Sequence, residues 1–295
     1  MKKRLIAPIC LFMALVSCTK NATNEIATES VTTPPSEVAI MALPSSPTVP
    51  TAPYGYTWGT SWTDNFDNLN NWYAIEEYKD GSKLGTNLKH LYKRKDMVSV
   101  SGGILNLKSK KFSANTLYTG CVSSEGRKSV RYGFLVARMY IQNPTTVGAQ
   151  SSFWSNYSRP TKDNTGAKDG CEMDIFESSY INNIMPSALH WDWFTNPYLP
   201  QHGNIIGKWT AAGSTSGYHD YGLLWTPGRL EIYYDGKRIG DPMLDATKIS
   251  DAWQYMLLGT AYAWGDAKDY FNGASEGKEA VTKVDLVKYV PFKNL

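Results

Sequence analysis

Three carboxylates stand close together in residues 170–177, where Glu172, Asp174 and Glu177 alternate with large apolar side chains. Burying a charge without a partner is costly, so an ordinary core strand does not carry three acids. A solvated acidic run, in turn, would not alternate with Met, Ile and Phe. The pattern therefore predicts a strand that turns one face to the core and lines a cleft with the other.

The spacing of the acids predicts how they share that cleft. Side chains on a strand alternate between its faces, so Glu172 and Asp174 point the same way. Glu177 lies five positions after Glu172, which in a regular strand would turn it to the opposite face. One extra residue, a β-bulge around Ile175 and Phe176, would return Glu177 to the cleft.

Three acids on one face predict acid/base and nucleophilic chemistry. Like charges held close together force one group to stay protonated near neutral pH, as an acid/base catalyst requires. One acid would then be a nucleophile, one a proton donor, and one would tune the pKa values of its neighbours. The alternative is an exposed edge strand with incidental acids, since a motif this short also occurs by chance.

The chain begins with a targeting segment. Basic residues 2–4 precede an apolar stretch, residues 5–16, that is too short to span a membrane. The sequence LVSC ending at Cys18 resembles a bacterial lipobox, so we expect residues 1–17 to be a signal peptide and Cys18 to be lipidated. The alternative is ordinary secretion, with Cys18 discarded or left free. We expect a protein that the lipid anchors to the bacterial outer membrane or cell surface.

Charge and composition describe the rest of the chain. Cleavage of the signal would remove three of the 30 basic residues and leave 27 against 27 acidic ones, so the formal net charge of +3 is no reason to expect a nucleic acid partner.

Residues 18–54 are rich in Thr, Ser and Pro, cannot bury a core, and are predicted to form a disordered tether. Residues 55–295 are predicted to form a single globular domain.

Composition and pattern predict that this domain is all-β. Aromatic residues make up 13% of the chain and charged residues 19%, which suits strands around an aromatic-lined groove. Residues 97–108 predict a hairpin that turns at Gly102-Gly103, and residues 223–239 predict further turns at residues 226–228 and 235–236. Evenly spaced strands without helical periodicity favour a sandwich of two sheets.

Cys121 and Cys171 are the two cysteines of the domain. Cys171 precedes Glu172, so its side chain is predicted to point away from the cleft into the core. The sequence leaves open whether the two form a disulfide or stay as buried free thiols. No Cys/His set has the spacing of a zinc site.

With these strands placed, residues 56–295 resemble glycoside hydrolase family 16. The segment from Glu172 to Glu177 resembles the family signature in its β-bulge form, E-x-D-x-x-E. Further motifs follow in the family's order: residues 62–67, residues 132–134 with Arg138, Phe153-Trp154, residues 187–191, 219–225, 234–237 and 284–289.

The resemblance implies a concanavalin-like β-jelly-roll sandwich of two antiparallel sheets with a concave substrate cleft. It also implies a retaining mechanism by double displacement. By motif position Glu172 would be the nucleophile, Glu177 the acid/base and Asp174 the assisting carboxylate between them. Such chemistry needs the two working carboxyl groups about 5–5.5 Å apart.

Four further side chains are candidates for substrate binding. Trp154, Trp191 and Trp193 would offer aromatic surfaces to the apolar faces of sugars, with core packing as the alternative. His190 would hydrogen-bond to the sugar or to a catalytic acid, with a structural histidine as the alternative. We expect no metal in the site and no cofactor; a structural Ca²⁺ is common in the resembled family, but the sequence shows no clear ligand set.

Together these features predict a monomeric endo-β-glycosidase that hydrolyses internal linkages of a polysaccharide or glycan chain and touches the membrane only through its anchor. The residues around Glu172 and His190 look less like those of laminarinases or agarases, which favours endo-β-1,4-galactosidase action on host O-glycan, keratan-type or algal galactan chains. An endo-β-1,3(4)-glucanase is the alternative. A non-catalytic glycan-binding lipoprotein is the alternative of another class, and transglycosylation is left open.

Overall fold

The computed structural model describes residues 45–81, 89–141, 150–157, 170–177, 184–191, 202–214, 217–261 and 276–295. Nearly all regular structure in these ranges is β-strand. The first ten strands are β1 Trp62–Asp64, β2 Tyr73–Ala74, β3 Glu77–Asp80, β4 His90–Lys93, β5 Val98–Ser101, β6 Ile104–Ser113, β7 Thr116–Thr119, β8 Cys121–Ser123, β9 Ser129–Val130 and β10 Gly133–Ile141. The others are β11 Gln150–Asn156, β12 Glu172–Glu177, β13 Ile184–Trp191, β14 His202–Thr210, β15 Tyr218–Thr226, β16 Arg229–Tyr234, β17 Lys237–Leu244, β18 Gln254–Ala261 and β19 Glu279–Val290, with a 3-10 helix at Lys95–Met97.

The strands build two sheets. The outer sheet has the order β17-β16-β15-β10-β19-β6-β7-β4-β3, with β1 beside β19 and β5 beside β6. The cleft sheet has the order β14-β13-β12-β11-β18-β8-β2, with β9 beside β18. Of the described strand pairs, β4 with β7 is parallel and the others are antiparallel. The predicted all-β jelly-roll sandwich is thus confirmed.

The predicted turns are where the sequence placed them. β5 and β6 pair across Gly102 and Gly103, whose φ angles are 57° and 74°. β16 and β17 pair across Asp235 and Gly236, whose φ angles are 47° and 75°. Two successive positive φ values form the hairpin turn that matches the natural twist of the strands, and glycine adopts them without steric cost.

The hydrophobic core lies between the two sheets, and β12 contributes to it directly. Met173, Ile175 and Phe176 are buried in the core cluster. The ring of Phe176 stacks on Tyr221 of β15 with 4.1 Å between centroids, which ties the centre of the cleft sheet to the outer sheet. This apolar anchoring holds the backbone that carries the three acids.

The two domain cysteines are free and buried. Cys171 belongs to the core cluster, as predicted. Cys121 lies opposite Gly259, Gly259 lies opposite Ser152, and Ser152 lies opposite Glu177. Because directly opposed residues share a face, Cys121 lies on the cleft face and the two thiols stand on opposite sides of the sheet.

The segment at residues 46–56 lies against the outer sheet. Val49 packs on the core cluster, and Lys288 Nζ donates to Ser46 Oγ at 3.0 Å. Part of this segment falls within the predicted tether. Residues 1–44, which include Cys18 and the predicted signal peptide, lie outside the described residues. Where the chain is described, no helix has the length and apolar character needed to cross a bilayer.

Candidate active site

Strand β12 occupies the middle of the cleft sheet, between β11 and β13. Its register against β11 pairs Phe153 with Phe176 and Trp154 with Asp174, which leaves Ile175 as an extra residue. This is the β-bulge that the spacing of the acids predicts, and it is confirmed. The bulge is what allows residues 172, 174 and 177 to share a face.

A side chain of the next strand stabilises the bulge. An extra residue interrupts the ladder, and a buried carbonyl without a partner would cost free energy. Ser187 Oγ donates to the Ile175 carbonyl oxygen at 2.6 Å, and both residues are buried. The register of β13 against β14 also shifts beside Ser187, between Ser187 and Ala188. The two neighbouring irregularities accommodate each other.

A buried polar chain fixes the start of β12. Gln254 Nε2 donates to the Cys171 carbonyl at 2.9 Å, and Ser155 Oγ donates to Gln254 Oε1 at 2.6 Å. Gly170, one residue earlier, has φ 146°, and a Cβ there would lie 2.2 Å from the ring of Tyr157. Only glycine fits this close approach. The backbone that enters Glu172 is therefore held by a hydrogen bond to Cys171 and by close packing at Gly170.

The register brings the predicted acids together with two of the predicted binding residues. Glu172 lies opposite His190 on β13, and Asp174 lies opposite Trp154 on β11. Glu177 lies opposite Ser152 at the other end of the bulge. Directly opposed residues point to the same face, so Trp154 and His190 flank the three carboxyl groups.

Asn156 donates a hydrogen bond to Glu172. Its Nδ2 lies 3.1 Å from Glu172 Oε2. Its Oδ1 accepts from the backbone N–H of Tyr157 at 2.8 Å, and this bond fixes the orientation of the amide. Asn156 is buried, so its geometry is well held. A donor aimed at a carboxylate stabilises the ionised form and orients it.

His190 contacts the middle acid. Its Nε2 lies 3.3 Å from Asp174 Oδ2. His190 is the register partner of Glu172, so this contact runs diagonally between the two strands. Asp174 is buried, whereas His190 is half-buried. The imidazole therefore connects the interior carboxyl group to the open side of the cleft, where a substrate would lie.

The pKa values of all three carboxyl groups are raised, and burial is the main cause for each. Asp174 adds to the effect on Glu172, whose pKa rises to about 8. Glu177 adds to the effect on Asp174, whose pKa is well above its usual range. The pKa of Glu177 is raised by burial and lowered in part by His190. The three groups titrate together and keep at least one shared proton near neutral pH.

The other candidate residues are placed differently. Trp191 is half-buried and packs on the core cluster, and Lys248 Nζ lies 5.8 Å from its ring centroid. It follows His190 on β13, so alternation turns it to the face opposite the acids. Its part in substrate binding stays a prediction. Trp193 lies outside the described residues.

Within the described ranges, one group of residues has the donor set of a cation site. Ligand atoms of Glu172, Asp174 and His190 lie within 4.8 Å of one another. Two carboxylates and an imidazole suit a transition metal such as zinc. An ion there would occupy the same oxygens that nucleophilic and acid/base chemistry needs, so we expect the working site to be metal-free.

Three residues that the sequence analysis missed support the site: Asn156, Ser187 and Gln254. Each is a polar residue inside a buried strand, which is the available signal, since buried polar side chains are nearly always hydrogen-bonded. Their partners lie 16, 12 and 83 residues away in the chain. That separation makes the pairing invisible until the register is known.

Three acids on a bulged strand inside one sheet of a two-sheet jelly roll are the arrangement of a glycoside hydrolase. Sequence comparison specifies the family: the profile of glycosyl hydrolases family 16 matches residues 84–256, more than half of the chain. The chain belongs to this family. No curated protein matches the sequence.

Solved structures share the fold at low sequence identity. A Bacteroides ovatus family 16 enzyme of a mixed-linkage glucan locus, in complex with a glucan product, is 19% identical with a TM-score of 0.60, covering 78% of this chain and 99% of that one. The Thermotoga petrophila laminarinase catalytic domain is 16% identical with a TM-score of 0.59, covering 81% and 100%. A structure described under endo-acting O-glycanases of the human gut microbiota is 15% identical with a TM-score of 0.62, covering 84% and 94%.

Proposed function

We propose that this protein is a retaining endo-β-glycosidase that hydrolyses internal linkages of a glycan chain by double displacement. The observation that carries the proposal is the register break at Ile175, because it places Glu177 on the face that already holds Glu172 and Asp174. A binding module would need neither the bulge nor three buried carboxyl groups with raised pKa values.

Glu172 is the nucleophile in this mechanism. Its Oε2 accepts from Asn156, and Oε1 is the oxygen that we assign to the attack on the anomeric carbon. Glu177 donates its proton to the departing glycosidic oxygen as the C–O bond breaks, which leaves a glycosyl ester on Glu172. Water then attacks the same carbon, gives its proton to Glu177 and releases Glu172 as a carboxylate.

Asp174 and His190 assist the two glutamates. Asp174 is buried between them and is itself contacted by His190 Nε2 at 3.3 Å. When Glu172 becomes an ester it loses its negative charge, so the electrostatic cost of ionising a neighbour falls. The pKa of Glu177 therefore drops after the first step, which suits its change from acid to base.

The substrate that we propose is a galactose-containing glycan cut at internal β-1,4-linkages, with β-1,3(4)-glucans as the alternative. The similar structures include enzymes described for glucans and one described with O-glycanases, so the shared fold is compatible with both kinds of substrate. The test is a product profile of the purified protein against mucin O-glycans, keratan, agarose, porphyran, laminarin and lichenan. Oligosaccharides from the galactose-containing chains alone support the proposal, whereas products from laminarin or lichenan alone select the alternative.

The mechanism has its own test. The anomer released first, observed by proton NMR within the first minutes, should keep the configuration of the cleaved bond. Initial release of the opposite anomer would overturn the retaining assignment. Glu172→Gln should reduce kcat by at least about 10³-fold. The matched control Glu279→Gln alters an exposed acid of the outer sheet and should leave kcat unchanged.

We also propose that the mature chain is a lipoprotein anchored through Cys18. The support is that residues 2–4 are basic, residues 5–16 are apolar, and the sequence LVSC ends at Cys18. Mass spectrometry of the amino-terminal peptide should detect a diacylglyceryl group on Cys18, and Cys18→Ala should release the protein from membranes. An unmodified amino-terminal peptide from a membrane-free protein would contradict the proposal.

A further inference from the structure

A groove of about 430 Å³ opens on the outer sheet. Its floor includes Thr226, Arg229, Glu231 and Tyr233 of β15 and β16. Tyr221 of β15 faces the cleft sheet, because its ring stacks on Phe176. Thr226 lies five positions after Tyr221 on the same strand, so its side chain points the other way, and Arg229 shares this face as its register partner. By alternation the groove side of the sheet faces away from that stack, so the groove lies on the side opposite the carboxyl groups. Its volume is within the range of about 300–1,000 Å³ for small-ligand sites.

The floor of the groove carries a fixed polar centre. Glu231 is buried; its Oε1 accepts from Arg229 Nε at 2.6 Å and its Oε2 from Tyr233 OH at 2.9 Å. The Tyr233 bond orients the Glu231 carboxylate, and Arg229 Nη2 also contacts Oε1, so the partly exposed guanidinium is held beside it. Arg238 Nη1 of β17 lies 4.0 Å from Glu231 Oε2, so two guanidinium groups flank one carboxylate and the floor offers mainly hydrogen-bond donors.

The wall of the groove is a turn that presents a tyrosine to solvent. Tyr56 N–H donates to the Pro53 carbonyl at 3.0 Å, and Gly55 between them has φ 85°. Trp58 Nε1 pins the preceding chain by donating to the Pro50 carbonyl at 2.9 Å. Tyr54 stands at the tip of this turn and is fully exposed. Because the ring of Tyr54 is exposed to solvent, it adds no packing energy to the core.

We propose that this groove is a second, non-catalytic glycan-binding site. The ring of Tyr54 stacks against the apolar face of an uncharged pyranose, and Arg229 hydrogen-bonds to its hydroxyl groups above the Glu231 carboxylate. An aromatic face beside a planar, multi-donor polar group is the combination that sugars require, since their rings are apolar on one side and hydroxylated at the edge. The occupant is a neutral pyranose unit of a long glycan, whose hydroxyl oxygens accept from the guanidinium N–H groups while its apolar ring face meets Tyr54.

The site goes beyond the proposed hydrolysis, which needs no second binding surface. Two sites on opposite sides of one domain engage only a ligand long enough, or dense enough, to reach both. Polymer and glycoprotein substrates would then be held at a raised effective concentration near the cleft, whereas short oligosaccharides would bind the cleft alone.

The experiment measures binding apart from turnover. Affinity electrophoresis is run with Glu172→Gln protein through gels that contain agarose, laminarin, lichenan or mucin. Tyr54→Ala is added to that background, with Tyr54→Phe as the conservative variant and Tyr78→Ala as a matched exposed tyrosine elsewhere on the outer sheet. We expect retardation by at least one of these polymers to fall about fivefold or more for Tyr54→Ala and to be unchanged for Tyr54→Phe and Tyr78→Ala.

Equal retardation of the parent and Tyr54→Ala by every polymer would overturn the second site. An equal loss for Tyr78→Ala would also overturn it, because the effect would then be general to exposed rings. Hydrolysis of short oligosaccharides by protein with an intact Glu172 is measured separately and should not change with Tyr54→Ala. A protein that hydrolyses nothing would refute the proposed function while the retardation series still decides the groove.

Discussion

Ser187 and Ile175 lie on neighbouring strands, and the hydroxyl of the first donates to the carbonyl of the second at 2.6 Å. Ile175 is the residue that the β11–β12 register leaves unpaired. The bond therefore satisfies the backbone at the point where the strand departs from regular geometry. A single buried hydroxyl thus stabilises the bulge that aligns the acids of the cleft.

Removing this hydroxyl should affect both stability and catalysis. Ser187→Ala leaves the buried Ile175 carbonyl without its donor, which costs about 1–3 kcal/mol of the free energy of unfolding. Since the bulge places Glu177, kcat should fall about tenfold or more while KM changes little. Urea unfolding and steady-state kinetics measure the two effects. Ser99→Ala, at an exposed position of β5, is the control, and unchanged kcat in Ser187→Ala would contradict the role of the bond.

Asn156 should set the pH at which the nucleophile works. Its amide N–H favours ionised Glu172, so Asn156→Ala should raise the pKa of the nucleophile and move the acidic limb of the kcat/KM profile to higher pH. Loss of a hydrogen bond to a charged group, about 1.5–3 kcal/mol, corresponds to roughly a 10–150-fold fall in kcat/KM at neutral pH. Asn156→Asp adds a negative charge and should move the limb further. An acidic limb that stays in place in both variants would exclude a positioning role.

The raised pKa of Glu172 has a consequence for stability. Its ordinary value of 4.5 applies to the unfolded chain, and the folded value is about 8, so the folded state binds more protons between these pH values. The free energy of unfolding therefore falls as pH rises from about 4.5 to 8. Glu172→Gln removes this cost. Its melting temperature should exceed that of the parent by several degrees at pH 8, and the difference should vanish near pH 4.

Calorimetry at both pH values tests this expectation. Glu279→Gln is again the control, because the hydrogen bond from Lys110 outweighs the effect of burial and lowers the pKa of Glu279. That variant should be no more stable than the parent at pH 8. A Glu172→Gln protein that is equally stabilised at pH 4 and pH 8 would show that the gain does not come from the titration of the carboxyl group.

Gly170 should tolerate no side chain. A Cβ there would lie 2.2 Å from the Tyr157 ring at φ 146°, so Gly170→Ala adds a steric overlap to backbone strain. Gly126→Ala is the matched control, since Gly126 has φ 70° and open space around its missing Cβ. We expect about 1 kcal/mol of destabilisation for the control and at least about 2 kcal/mol more for Gly170→Ala. Similar losses in the two variants would show that Tyr157 moves aside freely.

Much of the fold could be predicted because it depends on local pattern. Alternation along β12 separated Glu172 and Asp174 from Met173, and an odd spacing to Glu177 required the bulge. Each hairpin turns at two successive residues with positive φ. These signals lie within a few residues of one another, and they depend on steric rules that hold in any chain.

The supports of the site could not be predicted, because they depend on the register between distant strands. Gln254 reaches the Cys171 carbonyl only because β18 and β11 pair as they do, and no local pattern specifies that pairing. Trp191 is predicted as a sugar platform, and since it packs on the core cluster its part in substrate binding stays a prediction. Trp191 follows His190 in the sequence, and because side chains alternate along a strand the two point to opposite faces of the sheet.

The opposite placement of the two thiols has a consequence for how the chain can mature. Burial raises the pKa of Cys171 to about 12 and also raises that of Cys121, so neither is a reactive thiolate once folded. In the unfolded chain both are ordinary thiols, and an oxidising compartment would join them readily. That crosslink would tie together residues that the native sheet keeps on different sides. Under oxidising conditions folding must therefore be faster than formation of this crosslink, and refolding yields should be higher with a reductant than without one.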